Sequence, residues 1–145
     1  MALSRIAGLL IASLPICAVV AGESPPAATQ ADIRALVQKW RSSDDAAALG
    51  AGRALSEAFL SNPDAFLNVM SHDSKAWFSW LDALPRHSFT IARAADLPER
   101  ELLLEKMRAA AGSYPSGKSL VTLARQMAER LKNVQVKVAD SPVPK

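Results

Sequence analysis

The apolar residues of this chain recur at helical spacing over most of its length. Ile33, Leu36, Val37 and Trp40 stand at positions i, i+3, i+4 and i+7, so they share one face of a helix. The same spacing predicts five further inward faces, which include Ala48, Ala51, Leu55, Ala58 and Phe59; Phe66, Leu67 and Met70; Trp77, Trp80, Leu81 and Leu84; Leu103, Leu104, Met107 and Ala110; and Leu120, Leu123, Ala124, Met127 and Leu131.

Capping and breaking residues divide these segments. Asn62 can cap a helix, Pro63 needs no amide hydrogen in the first turn, and Asp64 suits the positive helix end. We place the other boundaries at a capping Ser42 or Ser43, at a break over residues 71–74, at Pro85 as a stop, at Gly112 as a stop, and at Pro115–Ser116 as the start of a sixth helix. Ile91 to Ala95 is expected to add at most one helical turn.

The expected fold is all-α: a single small domain of five or six short helices spanning residues 31–133. Short connections favour antiparallel neighbours, packed as a helical bundle or as helix hairpins of the HEAT or armadillo kind. Ile33 and Trp77, which begin the stripes of the first and fourth helices, stand 44 positions apart. Only the apolar pattern recurs at that distance, so the sequence predicts a packing style and no repeat family.

The segments on either side of the predicted domain lack its helical apolar pattern. Residues 22–30 are small, polar and proline-bearing, which predicts a flexible tether. Val134 to Val138 alternates like a strand, but no other strand is expected in the chain to pair with it. Residues 134–145 are therefore predicted to be a loosely ordered tail.

Residues 46–52 are almost without bulk, because the segment holds only alanine, glycine and one leucine. Two glycines inside a helix cost about 1 kcal/mol each in helix propensity. Such a segment lets a neighbouring backbone approach closely, so we expect tight helix packing here in preference to a ligand groove.

The N-terminus has the layout of a signal peptide. Arg5 precedes an apolar run over residues 6–20 that ends in small residues. The run is shorter than the about 20 residues that a membrane-spanning helix needs. We predict a signal peptide over residues 1–21 with cleavage after Ala21, hence a periplasmic or secreted protein. The alternatives are an uncleaved membrane anchor and lipid attachment at Cys17, which bulky Ile16 disfavours.

Cys17 is the only cysteine of the 145 residues, and it lies within the predicted signal peptide. The exported part would therefore have no thiol, which excludes disulfides, cysteine-based metal sites and cysteine nucleophiles. The charge balance is unremarkable: 17 basic and 14 acidic residues in the whole chain carry no nucleic-acid signature. Residues 100–145, however, hold 9 basic and 4 acidic side chains, so the C-terminal third is electropositive.

Two sets of residues formally suggest catalysis or cofactor binding. Residues 112–119 match the phosphate-binding pattern G-x-x-x-x-G-K-[ST], but that loop belongs between a buried strand and a helix, and here an amphipathic helix precedes it. His72 and His87 are the only histidines, and neither has enough neighbouring donors for a metal site. We therefore expect no catalytic residues, no metal and no cofactor, with a small hydrolase using either histidine as the alternative.

The most distinctive stretch is the aromatic segment Trp77, Phe78 and Trp80. A helix between two neighbours could bury all three, whereas a partly exposed Phe78 or Trp80 would be an anchor for a protein partner. The basic face of the last helices is the second candidate surface. The candidate partner-binding residues are Phe78, Trp80, Trp77, Arg108, Lys118 and Arg125.

These observations favour an exported, non-enzymatic helical module that binds a protein partner. One specific form is a periplasmic immunity or inhibitor protein against a toxin or hydrolase, which needs only a stable scaffold and a surface. An envelope-associated structural protein is the remaining alternative. Membrane contact is expected only if the N-terminal segment stays uncleaved.

Overall fold

The fold is described from a computed structural model, which covers residues 25–139. The predicted signal peptide and residues 140–145 of the predicted tail lie outside this range. Between residues 25 and 139 the chain is mostly helical, which confirms the all-α prediction. The elements are α1 (Gln30–Arg41), α2 (Asp45–Ser61), α3 (Pro63–Ser71), α4 (Ser74–His87), β1 (Thr90–Ile91), a 3₁₀ turn (Ala94–Asp96), α5 (Leu97–Gly112), α6 (Val121–Lys132) and β2 (Lys137–Val138).

Local capping fixes most of the helix starts. Asn62 accepts a bond from the amide of Ala65 and caps α3, as predicted. Asp73 does the same for α4 through Ala76. The expected serine cap of α2 is wrong: Asp44 is the cap. Ser42 and Ser43 instead follow the end of α1. Their hydroxyls donate to carbonyl groups of its last turn.

Helix α4 continues through Pro85 to His87, so the expected stop at Pro85 is wrong. A proline inside a helix leaves the carbonyl four residues earlier without its amide partner. Here that carbonyl belongs to Leu81, and Arg130 Nε of α6 donates to it at 3.0 Å. Arg130 thus replaces the missing helical hydrogen bond.

The C-terminal segment has a strand partner, contrary to expectation. β1 and β2 form a parallel pair in which Thr90 lies opposite Lys137 and Ile91 opposite Val138. Val134 is also buried. Residues 134–139 are therefore packed onto the domain, and the prediction of a loose tail is wrong for them.

Two other boundaries differ from the predictions. Helix α6 begins at Val121, because the residues after Pro115 form turns in which the amide of Lys118 bonds the carbonyl of Pro115. The last residues of the predicted tether are held: Ser61 Oγ accepts a bond from the Ala28 amide, and Asn62 Nδ2 donates to the Ala28 carbonyl. The tether prediction is wrong from Ala28 onward.

A single core lies between the helices. α1 packs on α2 and α3, α2 also packs on α4 and α5, and α5 packs on α6. The side chains with less than 2% exposure include Trp80, Phe59, Phe66, Phe89, Ile33, Leu55, Leu67, Met70, Leu84, Met107, Met127 and Leu131. In the part of the chain covered, no helix is long and apolar enough to cross a membrane.

Candidate functional site

The structure divides the aromatic segment of α4 into a buried and an exposed part. Trp77 and Trp80 are 2% and 0% exposed, whereas Phe78 is 54% exposed. Trp80 packs against Phe66 with 5.0 Å between ring centroids. A residue this deeply buried cannot anchor a partner without unfolding its surroundings, so the predicted binding roles of Trp77 and Trp80 are wrong. Both indoles belong to the core.

Phe78 stands on a firmly held part of α4. The indole Nε1 of the preceding Trp77 donates to Gln126 Oε1 of α6 at 2.8 Å. One turn later, Arg130 bonds the Leu81 carbonyl. These two contacts fix α4 against α6 on either side of Phe78. The helical neighbours Lys75 and Asp82 are exposed, so the phenyl ring is an apolar point within a polar surface.

The three basic candidates have different surroundings. Arg108 donates to the carbonyls of Leu131 and Val134 at 3.1 and 2.7 Å, so it ties the end of α6 to α5. Lys118 forms a 2.7 Å ion pair with Asp64. Arg125 is exposed and lines a groove beside the end of α5. The structure therefore does not bring these side chains together into one basic face.

A polar cleft of about 460 Å³ opens between the start of α3 and the α5–α6 connection. Asp64 accepts from Tyr114 Oη at 2.6 Å and from Lys118 Nζ at 2.7 Å. The bonds from Lys118 and Tyr114 lower the pKa of Asp64. Burial and the bond to Asp64 raise the pKa of Tyr114 to about 12. The hydrogen-bonding groups of Asp64, Tyr114 and Lys118 are thus paired with one another. This favours a structural role, as a clasp between α3 and the α5–α6 connection, over a reactive site.

The same clasp explains the formal phosphate-binding pattern at residues 112–119. Gly112 ends α5, and turns lead from Ser113 to α6. Helices, and no strand, flank this connection, and its lysine is paired with Asp64. The segment lacks the strand–loop–helix geometry in which backbone amides surround phosphates.

Both histidines make hydrogen bonds within the fold. His72 Nδ1 lies 2.7 Å from the carbonyl of Asn68 in the preceding helix, α3. His87 Nδ1 accepts a 3.0 Å bond from Trp40 Nε1, which joins α4 to α1. Within residues 25–139, no group of three or more His, Cys, Asp and Glu side chains could hold a metal ion.

The surroundings of His87 should make the folding stability depend on pH. Burial lowers the pKa of His87, and the charge of Arg86 lowers it further, while Asp45 opposes the shift. Protonation therefore favours the unfolded chain, in which a histidine has a pKa of about 6.5. The free energy of unfolding should therefore have its full value above that pH. It should fall as the pH drops below it. Urea unfolding at pH 7.5 and pH 5.5 measures the difference.

His87→Gln should reduce this pH difference, because a glutamine oxygen can accept the Trp40 bond at both pH values. His72→Gln is the matched control, and it should leave the difference in place. An equal reduction in both variants would refute the assignment to His87.

One buried polar atom lacks a partner in the described part of the chain. Trp80 Nε1 is buried and has no hydrogen-bond acceptor there, although such a group costs about 1 to 3 kcal/mol when it is unsatisfied. The pattern of the sequence contains no signal for it.

Sequence reasoning also missed a crevice between α1 and the end of α3, which Arg34, Val37, Arg41 and Asp73 help to line. The sequence held a sign of it, because Arg34 and Arg41 stand seven residues apart and so lie on the same side of α1, two turns from each other. The helical spacing of apolar residues identifies only the inward face of α1, and the two arginines lie outside that pattern.

Comparison with known proteins adds no relative: no protein-family model, no curated protein and no solved structure matches the chain.

Proposed function

We propose that this chain is an exported, non-enzymatic helical module that binds a protein partner through Phe78. The observation that carries the proposal is the 54% exposure of this ring beside two buried tryptophans. Aromatic side chains dominate the binding energy of many protein interfaces. The hydrogen bonds from Trp77 to Gln126 and from Arg130 to Leu81 limit the movement of this part of α4, which lowers the entropy lost when it is immobilised in a complex.

Leu102 provides a matched control for this surface. It is an apolar side chain of α5 with 55% exposure, nearly the same as Phe78. General stickiness of exposed apolar groups would affect both positions alike. Specific docking through α4 would affect only Phe78.

The test is capture of partners by the exported chain from the envelope and culture fluid of its host. We expect one dominant partner, bound by the wild type and by Leu102→Ala. Phe78→Ala should weaken that complex at least tenfold while remaining folded, since a hot-spot truncation costs about 2 kcal/mol or more. Equal binding by the Phe78→Ala variant, or no specific partner from any fraction, would refute the proposal.

Export is part of the proposal and rests on the N-terminal sequence. An exported chain should begin at Gly22 when its mass is measured. A full-length chain recovered from membranes would refute cleavage and favour the envelope-associated structural alternative. If the captured partner is a secreted toxin or hydrolase whose activity the complex blocks, the module is an immunity or inhibitor protein.

The hydrolase alternative has less support. His72 and His87 both form hydrogen bonds with groups that join or stabilise helices. Substituting either histidine should therefore change mainly the stability of the fold. A hydrolytic activity that His72→Gln or His87→Gln abolishes in a folded variant would favour this alternative.

We further propose that α1–α2 and α5–α6 are helix hairpins of the general HEAT or armadillo kind. The support is that each pair is consecutive in the chain and closely packed, and that only residues 42–44 join α1 to α2. An experimental structure in which either pair is not antiparallel would refute this packing.

A further inference from the structure

A partly enclosed crevice of about 270 Å³ lies between α1 and the end of α3. Its floor is formed by Val37, Val69 and Met70, which are 6%, 8% and 1% exposed. Arg34 and Arg41 of α1 and Asp73 beyond α3 contribute to its rim. The crevice thus combines an apolar floor with an excess of positive charge at its mouth.

From this combination we infer that the crevice binds a small amphiphilic anion, a carboxylate with a medium-length hydrocarbon chain. The hydrocarbon chain would lie on the apolar floor, and the carboxylate would meet the arginines at the rim. Pockets for drug-sized ligands occupy about 300 to 1,000 Å³. The smaller volume here restricts the ligand to a single hydrocarbon chain of medium length.

Arg41 is positioned to hold the carboxylate. Its Nη1 forms a 2.8 Å ion pair with Asp73 Oδ2. The other oxygen of Asp73 caps α4 through the Ala76 amide, so the carboxyl group of Asp73 is fixed and in turn orients Arg41. A guanidinium carries five N–H groups, and the bond to Asp73 engages Nη1 alone. The remaining donors can bind a carboxylate in the two-point geometry that arginine favours.

Arg34 supplies the second positive charge. It stands two turns before Arg41 on α1, about 10 Å away along the helix axis. Its contact with the Gln30 side chain is long, at 3.2 Å, and exposed. The side chain of Arg34 can therefore turn toward an anion at the mouth at little cost.

The test is calorimetric titration of the full chain with octanoate below the concentration at which octanoate forms micelles. We expect saturable binding of one octanoate per chain. Each buried methylene should strengthen binding about fourfold, so butanoate should bind at least tenfold more weakly. 1-Octanol has the chain without the charge and should also bind at least tenfold more weakly.

Arg34→Gln and Arg41→Gln should each weaken octanoate binding. The loss should be about tenfold for Arg41→Gln, because Arg41 is the residue positioned to hold the carboxylate. Arg34→Gln disturbs the fold less than Arg41→Gln, because it breaks no ion pair. Arg93→Gln is the matched control: it removes the same charge from an exposed site that pairs with Asp96, and binding should stay within twofold of the wild type. In an NMR titration, octanoate should shift the signals of Val37, Val69 and Met70.

Several results would overturn the inference. These are the absence of saturation by octanoate, equal binding of 1-octanol, an equal loss in Arg93→Gln, or signal shifts that map elsewhere. A short apolar peptide with a free C-terminal carboxylate that binds more tightly than octanoate would overturn it in favour of a peptide ligand.

Discussion

Gly52→Ala should destabilise the protein strongly, although alanine is the better helix former. A Cβ at position 52 would lie 2.7 Å from both Cβ and the carbonyl oxygen of His87. The carbonyl oxygen of Gly52 also accepts from Ser56 and Ser88, at 3.2 and 3.0 Å. The methyl group therefore forces α2 away from α4 where the two helices meet, and backbone atoms cannot turn aside as a flexible side chain can.

We expect the free energy of unfolding to fall by about 2 to 3 kcal/mol, as for overpacked cores. Gly50→Ala is the control on the same helix, because a Cβ there meets nothing within 4 Å. It should raise the free energy of unfolding by about 0.5 to 1 kcal/mol through helix propensity alone. Urea unfolding of both variants measures the contrast. A stabilised Gly52→Ala variant would show that α2 and α4 do not touch at this glycine.

Phe66→Ala should have the largest effect of the substitutions considered. Phe66 is fully buried and contacts both Phe59 and Trp80, with ring centroids 5.6 and 5.0 Å apart. Removing the ring leaves a cavity in the centre of the core, and such changes cost about 3 to 5 kcal/mol. Thermal and urea unfolding measure the loss.

Phe78→Ala is the matched substitution at the surface. Because the ring is more than half exposed, the free energy of unfolding should change by no more than about 0.5 kcal/mol. Comparable losses at Phe66 and Phe78 would mean that Phe78 is buried, and the docking proposal would then lose its basis.

The features that local sequence determines were predictable. Asn62 and Asp73 cap helices through contacts three residues away, and the small residues around Gly52 indicated the close helix contact that the structure contains. In the two caps, the residues that determine the structure are neighbours in the chain.

Features that depend on distant residues were not predictable. Pro85 does not end α4 because Arg130, 45 positions later, donates to the carbonyl of Leu81, which the proline leaves without an amide partner. The strand at Lys137 has a partner near Thr90, in a segment too short for a strand pattern to be visible. Arg108 is a basic residue on an amphipathic helix, yet it donates to the carbonyls of Leu131 in α6 and Val134 beyond it.

The candidate site falls between these two cases. Helical geometry put Phe78 about 100° away from Trp77, so Phe78 was the aromatic residue furthest from the apolar stripe. Whether a neighbouring helix covered that direction depended on the packing of α6. The fold leaves Phe78 exposed and covers Trp80, in keeping with their positions off and on the apolar stripe, but the extent of the exposure depends on the packing.

Photo-crosslinking in the native host tests the docking proposal most directly. A benzophenone-bearing phenylalanine analogue at position 78 resembles the natural side chain, and the same analogue at position 102 controls for exposure. We predict one dominant crosslinked protein from position 78 and none of it from position 102. No crosslinked partner from position 78, or the same proteins from both positions, would contradict the docking role of Phe78.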